Sequence, residues 1–160
     1  MNLYLVRHGE AEPSEGARTD ADRNLTSEGR KHLCRIAKGL ASLGCRPERV
    51  ASSPFRRGVE TAKILAQVVA PKAPVETYPF LAPGAVATEV AGWLRETEQD
   101  NVMVIGHAPD MEEIASDFVC QDSRMAMKIS KGGVCLITFD APPTLGGGRL
   151  EWLLPPRVFG

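Results

Sequence analysis

The sequence has no excess of either charge. Its 19 Lys and Arg stand against 20 Asp and Glu, a formal net charge of −1. That argues against a nucleic-acid or membrane-surface partner selected by overall charge. No apolar run approaches the roughly 20 residues that span a bilayer. Met1-Asn2 leads into a short apolar run broken at Arg7, not into a signal peptide, so a cytoplasmic location is expected. Cys34, Cys45, Cys120 and Cys135 form no CxxC and no zinc-type spacing. They read as buried or half-buried thiols of a reducing compartment. Histidine is scarcer still, at three residues. With no HxH and no HExxH, neither a metal nor a cofactor is expected. No internal repeat and no linker interrupts the chain, so residues 1–160 are expected to form one domain, and nothing in them suggests more than a monomer.

What is present suits a globular fold rich in loops. The hydrophobic share is 43%, with 15 Gly and 12 Pro. Leu3 to Val6 reads as a buried strand, ended by Arg7-His8-Gly9. A polar loop runs through Asp22. Thr26 then caps a helix from Ser27 to Leu43, whose stripe is Leu33, Ile36, Ala37, Leu40 and Leu43, with Gly44 as its stop. Val50 to Ser52 is a short strand. Ser53-Pro54 reads as a cap and first helical residue of a helix to Ala70, burying Val59, Ala62, Leu65 and Val69. A short strand at Val75 to Thr77 and a loop from Pro79 to Gly84 lead to a helix from Val86 to Thr97, with Val86, Val90, Trp93 and Leu94 on one face. Val102 to Ile105 is a central strand ended by Gly106-His107. Met111, Ile114, Ala115 and Phe118 mark another helix, and Val134 to Phe139 with Leu150 to Leu154 form a hairpin across a Pro/Gly-rich turn. Strands alternating with helices imply an α/β three-layer sandwich, a mostly parallel central sheet with helices on both faces.

The chemistry-bearing residues fall at strand ends. Arg7 and His8 follow the first strand, Ser53, Arg56 and Arg57 the second, and His107 the strand at Val102. Open α/β sheets bind ligands at the carboxyl ends of their strands. Taken singly, each feature has an ordinary structural explanation: a satisfied histidine, a helix cap, solvated arginines. Gathered on one edge beside a helix N-terminus, they make a local positive site suited to a phosphate-sized anion. His32, inside the first helix near its apolar stripe, reads as structural.

Four segments in order resemble the histidine phosphatase (phosphoglycerate mutase-like) superfamily. They are Leu5-Val6-Arg7-His8-Gly9-Glu10, Leu25-Thr26-Ser27-Glu28-Gly29, Ser52-Ser53-Pro54-Phe55-Arg56-Arg57-Gly58-Val59-Glu60-Thr61-Ala62 and Val104-Ile105-Gly106-His107-Ala108-Pro109. The resemblance implies a phosphoglycerate mutase-like fold, with His8 as nucleophile and Arg7, Arg57 and His107 on the phosphoryl group. Ser53 and Glu10 join the substrate-binding set. Arg56 is expected to point elsewhere. Three positions depart from the pattern: Gly58 replaces Ala, Glu60 replaces Gln and Ala108 replaces Asn. Ala82-Pro83 also stands where larger members carry a catalytic glutamate. With the short chain, that lack resembles the small SixA-type phosphohistidine phosphatases. The implied partner is then a phosphorylated protein, such as a histidine-containing phosphotransfer domain. Two alternatives remain: a small-molecule phosphomonoesterase acting on a sugar phosphate or nucleotide, and a non-catalytic phosphate-binding module.

Overall fold

The computed structural model describes residues 1–121 and 124–160. Among these residues, four α-helices and six strands follow one another as β1 (Asn2–Arg7), α1 (Ser27–Ser42), β2 (Arg49–Ser52), α2 (Arg56–Val69), β3 (Val75–Thr77), α3 (Ala87–Glu96), β4 (Asn101–Gly106), α4 (Asp110–Val119), β5 (Val134–Thr138) and β6 (Arg149–Leu154). The strands form one sheet in the order β3-β2-β4-β1-β5-β6. The first four are parallel, and β5 and β6 are antiparallel additions at the β1 edge. The expected three-layer α/β sandwich with a mostly parallel sheet is therefore present.

Strand alternation divides the core in two. Tyr4, Val6, Val50, Met103 and Ile105 face α1 and α2, packing on Leu33, Leu40, Ala62 and Leu65. Leu3, Leu5, Val102 and Val104 face α3 and α4, packing on Val90, Leu94, Ile114 and Phe118. Strands buried on both faces explain why β1 and β4 are continuous apolar runs.

Local chemistry sets the ends of α1. The Thr26 side chain accepts from the Gly29 N–H at 2.9 Å, the bond expected of an N-cap. At the other end Gly44 adopts φ +80°. Its N–H bonds the Ala41 carbonyl and the Cys45 N–H bonds the Leu40 carbonyl, a Schellman closure.

Several expectations are corrected. Helix α2 begins at Arg56, not at Ser53-Pro54, and its N-cap is Phe55. Ser53 instead closes a turn before the helix, its hydroxyl accepting from the Phe55 N–H at 3.2 Å. Leu43, at the C-cap of α1, is 58% exposed because the chain is already turning away. Val59 is only half-buried, and Val86 precedes α3 and is exposed. Cys34 lies on the outer face of α1 and is exposed, unlike the other three cysteines. His32 is also exposed rather than packed.

Candidate active site

The adjacent parallel strands β2, β4 and β1 end at the same sheet edge, and backbone hydrogen bonds tie those ends together. The His8 N–H donates to the Gly106 carbonyl at 3.0 Å, and the Ser53 N–H to the Ile105 carbonyl at 2.9 Å. The Gly9 N–H donates to Thr61 Oγ1 at 3.0 Å, and Thr61 Oγ1 donates in turn to the Arg57 carbonyl at 2.7 Å. The first turn of α2 is thereby fixed against the end of β1. Arg57, His8 and His107 sit in this junction, all buried.

The His8 ring is held at both nitrogens. Nδ1 lies 2.7 Å from the Gly9 carbonyl, and a carbonyl can only accept, so Nδ1 carries the proton. Nε2 is then the unprotonated nitrogen, and Arg57 Nε donates to it at 3.2 Å. Burial pushes the His8 pKa down to about 4, against the pull of the Gly9 carbonyl, with the Arg57, Arg7 and Arg23 charges adding to the fall. The ring is neutral at pH 7, with a lone pair aimed into the cluster.

His107 stacks obliquely on His8, with ring centroids 5.1 Å apart, and meets the edge of Phe55 at 5.2 Å. Its Nε2 is 2.7 Å from Ser53 Oγ. Burial, with His8 and Arg57 nearby, pushes its pKa down to about 3. Among the described residues, three buried side-chain atoms have no hydrogen-bond partner: His107 Nδ1, Arg7 Nε and Glu112 Oε2. Two of these belong to the cluster. A third residue reaches it indirectly, because Arg7 Nη1 donates to the Ile129 carbonyl at 3.0 Å while Glu112 Oε1 accepts from the Ile129 N–H at 3.1 Å.

The structure places Arg7, His8, Arg57, His107 and Ser53 at one sheet edge, as the sequence leads one to expect. Glu10 lies at the exposed rim and makes no side-chain hydrogen bond to them. Arg56 points away, toward Asn24 and Asp22. Asp20 is the participant that sequence reasoning missed. Its carbonyl accepts from Arg57 Nη1 at 2.7 Å, and its carboxylate from Arg57 Nη2 at 3.0 Å and from Arg23 Nη1 at 3.0 Å. These two arginines hold the Asp20 carboxyl below the usual carboxylate range. Five acidic residues stand in the loop from Glu10 to Asp22, and no spacing singles out Asp20. Phe55 was likewise hidden, although its ring lies 5.1 Å beneath the Arg57 guanidinium.

The departures from the family pattern also find their places. Glu60 accepts from the Leu25 N–H at 2.7 Å and pairs with Arg30 at 2.9 Å, pinning α2 to the start of α1. A side-chain carbon at residue 58 would sit 3.2 to 3.3 Å from Ser52 and Ser53, a close approach that glycine relieves. Asp110 accepts from the Gly84 and Ala85 N–H groups, so it anchors the segment just after Ala82-Pro83. No group of three or more His, Cys, Asp or Glu among the described residues could hold a metal ion.

This arrangement offers a neutral imidazole nucleophile inside a cage of guanidinium and imidazole donors, which suits a transferable phosphoryl group. The model of the histidine phosphatase superfamily, branch 1, matches residues 3–82. An uncharacterized protein of Picosynechococcus is 30% identical over 137 residues, covering 84% of this chain and 82% of that one. Phosphohistidine phosphatase SixA of Escherichia coli is 25% identical over 159 residues, covering 98% and 94%. Among solved structures, the tungstate complex of the protein histidine phosphatase SixA superposes with a TM-score of 0.87 at 23% identity over the whole of both chains. A phosphoserine phosphatase of Entamoeba histolytica bound to phosphoserine gives 0.74 at 13% identity, covering 98% of each. These two likenesses show the fold, phosphoglycerate mutase-like as expected. The family match over half the chain and the relative at 30% identity go further: the chain belongs to the histidine phosphatase superfamily and is a phosphatase of that type.

Proposed function

We propose that the chain hydrolyses phosphohistidine on a protein in two steps through a phosphohistidine on His8. The observation that carries this reading is the His8 ring itself, neutral, held at Nδ1 by the Gly9 carbonyl and presenting Nε2 beside Arg57. In the first step Nε2 bonds to phosphorus as the bond from phosphorus to the substrate's imidazole nitrogen breaks. That imidazole, already protonated on its other ring nitrogen, takes the electron pair and leaves as the neutral ring. Water then attacks phosphorus, releases inorganic phosphate and restores His8. Arg7, Arg57 and His107 bind the equatorial oxygens, where guanidinium forks match the geometry and charge.

The leaving group decides between substrates. An alkoxide is a very strong base, the conjugate of a group with a pKa near that of water, about 15.7, so a P–O ester needs a proton donor. A phosphohistidine protonated on its other ring nitrogen expels neutral imidazole, whose conjugate acid has a pKa of about 6.5, so it needs no proton donor at the breaking bond. Ala82-Pro83 stands where a family acid would be. The carboxylate nearest Arg57 is Asp20, which its arginine partners keep ionised at neutral pH. Both features support a P–N substrate, as does the likeness to a relative named as a phosphohistidine phosphatase. A protein partner fits a short chain whose β3–α3 connection holds a single 3-10 turn, Pro79–Leu81.

The test is trapping followed by a leaving-group series. Label from a phosphohistidine protein should appear on His8 as an acid-labile, base-stable adduct. Phosphate esters should be cleaved faster as the leaving alcohol becomes more acidic, with aryl esters slow and alkyl esters nearly inert. A flat series or fast cleavage of a sugar phosphate would overturn the reading in favour of a small-molecule phosphomonoesterase.

A further inference from the structure

We propose that the groove between α1 and residues 128–132 docks an acidic surface surrounding the partner's phosphohistidine, a docking role that rests on the substrate reading above.

The groove has two continuous parts. The first, about 460 Å³, begins at Arg7 and Glu10 and runs between α1 and the segment carrying Lys128 and Lys131. The second, about 440 Å³, shares His32 and Ser130 with the first and continues past Arg35 to Arg157. Its inner end is therefore Arg7, the residue placed on the phosphoryl group. From Gly29 to Ile36 the α1 wall is about 10 Å long at 1.5 Å per residue, enough for several residues of a docked partner.

The cations on the walls make no direct ion pair. Arg35, Lys128, Lys131 and Arg157 are all exposed. Among the described residues none of them has a carboxylate within 4 Å. Other unpaired cations among the described residues, such as Arg18, Lys38, Lys63 and Lys72, do not line this groove. Among the described residues, Glu10 is the single acidic side chain on either wall. A chain of net charge −1 has thus gathered four unpaired cations along one groove leading from the site. Such a groove raises the local concentration of an acidic partner and favours its correct orientation. Nucleic acid is the other polyanion to weigh, but single strands are held by stacking on aromatic rings. Among the described residues, no Phe, Tyr or Trp lines either part of the groove.

The experiment uses two synthetic peptides of equal length, each phosphorylated on one central histidine, one flanked by Asp and Glu and the other by Lys. The wild-type enzyme should show a KM at least tenfold lower for the acidic peptide, and added salt should shrink the difference. Lys128→Glu/Lys131→Glu and Arg35→Glu should abolish or reverse the preference while leaving turnover of phosphoramidate, which has no flanking residues, unchanged. Equal KM values for the two peptides, or an unchanged preference in the variants, would overturn the docking role. Binding of the unphosphorylated acidic peptide, read by fluorescence anisotropy, judges the groove separately from the chemistry. If that binding is lost in the charge-reversed variants while neither phosphopeptide is hydrolysed, the substrate reading fails and the groove stands. A single-stranded oligonucleotide that binds the groove more tightly than the acidic peptide would overturn the assignment to a protein partner.

Discussion

At the scale of single residues, the site rests on one arginine with all three of its nitrogens already engaged. Arg57 gives Nε to His8, Nη1 to the Asp20 carbonyl and Nη2 to the Asp20 carboxylate. A phosphoryl group needs the same fork, so Asp20 competes with it for Arg57. Asp20→Ala should therefore tighten tungstate or phosphate binding several-fold, measured by calorimetry; weaker binding would show that Asp20 instead holds Arg57 in its productive position. His8→Ala should abolish turnover and leave the fold intact, because its ring packs against polar neighbours rather than the apolar core, and circular dichroism with an activity assay checks both. Arg57→Ala should lose about 2–4 kcal/mol of transition-state stabilisation, by analogy with removing one oxyanion donor, read as kcat/KM. The histidines and Arg57 were legible in the sequence because each follows a strand end that the apolar pattern locates. Asp20 was not, because it acts from an irregular loop where no period relates sequence position to direction. The contacts of Arg7 were hidden for a similar reason: its partner is the Ile129 carbonyl, and a backbone atom leaves no mark in composition.

At the scale of elements, the β1–α1 connection is what brings the site together, and it is fastened at two points. A side-chain carbon on residue 29 would lie 2.5 Å from the Glu10 carbonyl, so the loop can cross the start of α1 only over glycine. Glu60 supplies the second fastening by accepting from the Leu25 N–H. Glu60→Ala should destabilise the protein by about 1–3 kcal/mol, since a largely buried donor is left without a partner. Glu60→Gln, the usual family residue, keeps that acceptor and loses only the half-exposed pair with Arg30, so it should change stability by less than about 1 kcal/mol. Urea denaturation of the two variants checks the contrast, and equal losses would mean that the ion pair, not the Leu25 bond, is the fastening. Elements with strong periodicity were readable to within a residue or two, as α1 shows at its capped start and Gly44 stop. Helix α2 was misplaced at its start because Ser53-Pro54 satisfies the local rules for a cap. Its hydroxyl is engaged instead by the Phe55 N–H and by His107, and that second partner lies 54 residues away.

At the scale of the whole molecule, keeping two histidines neutral beside arginines links the fold to pH. In the unfolded chain each histidine takes up a proton near pH 6.5. In the folded protein His8 does so only at about pH 4 and His107 at about pH 3. Between these values the unfolded state binds more protons, so stability is complete above about pH 6.5 and falls as pH drops through this window. Each histidine contributes up to about 1.4 kcal/mol per pH unit, and His8 alone amounts to roughly 3 kcal/mol by pH 4. Domains of this size are commonly stable by only about 5–15 kcal/mol, so the effect is large enough to see in melting curves. The wild-type Tm should fall steeply between pH 6.5 and 4 at constant ionic strength, and that of His8→Asn, which has no proton to take up, more gently. Parallel curves for the two proteins would mean that His8 is not held neutral by the fold. Tungstate should flatten the wild-type curve, because a bound dianion favours the protonated ring and raises its folded pKa toward the unfolded value. The cause is electrostatic: burial and the arginine charges that keep the His8 ring neutral are offset when an anion sits beside it.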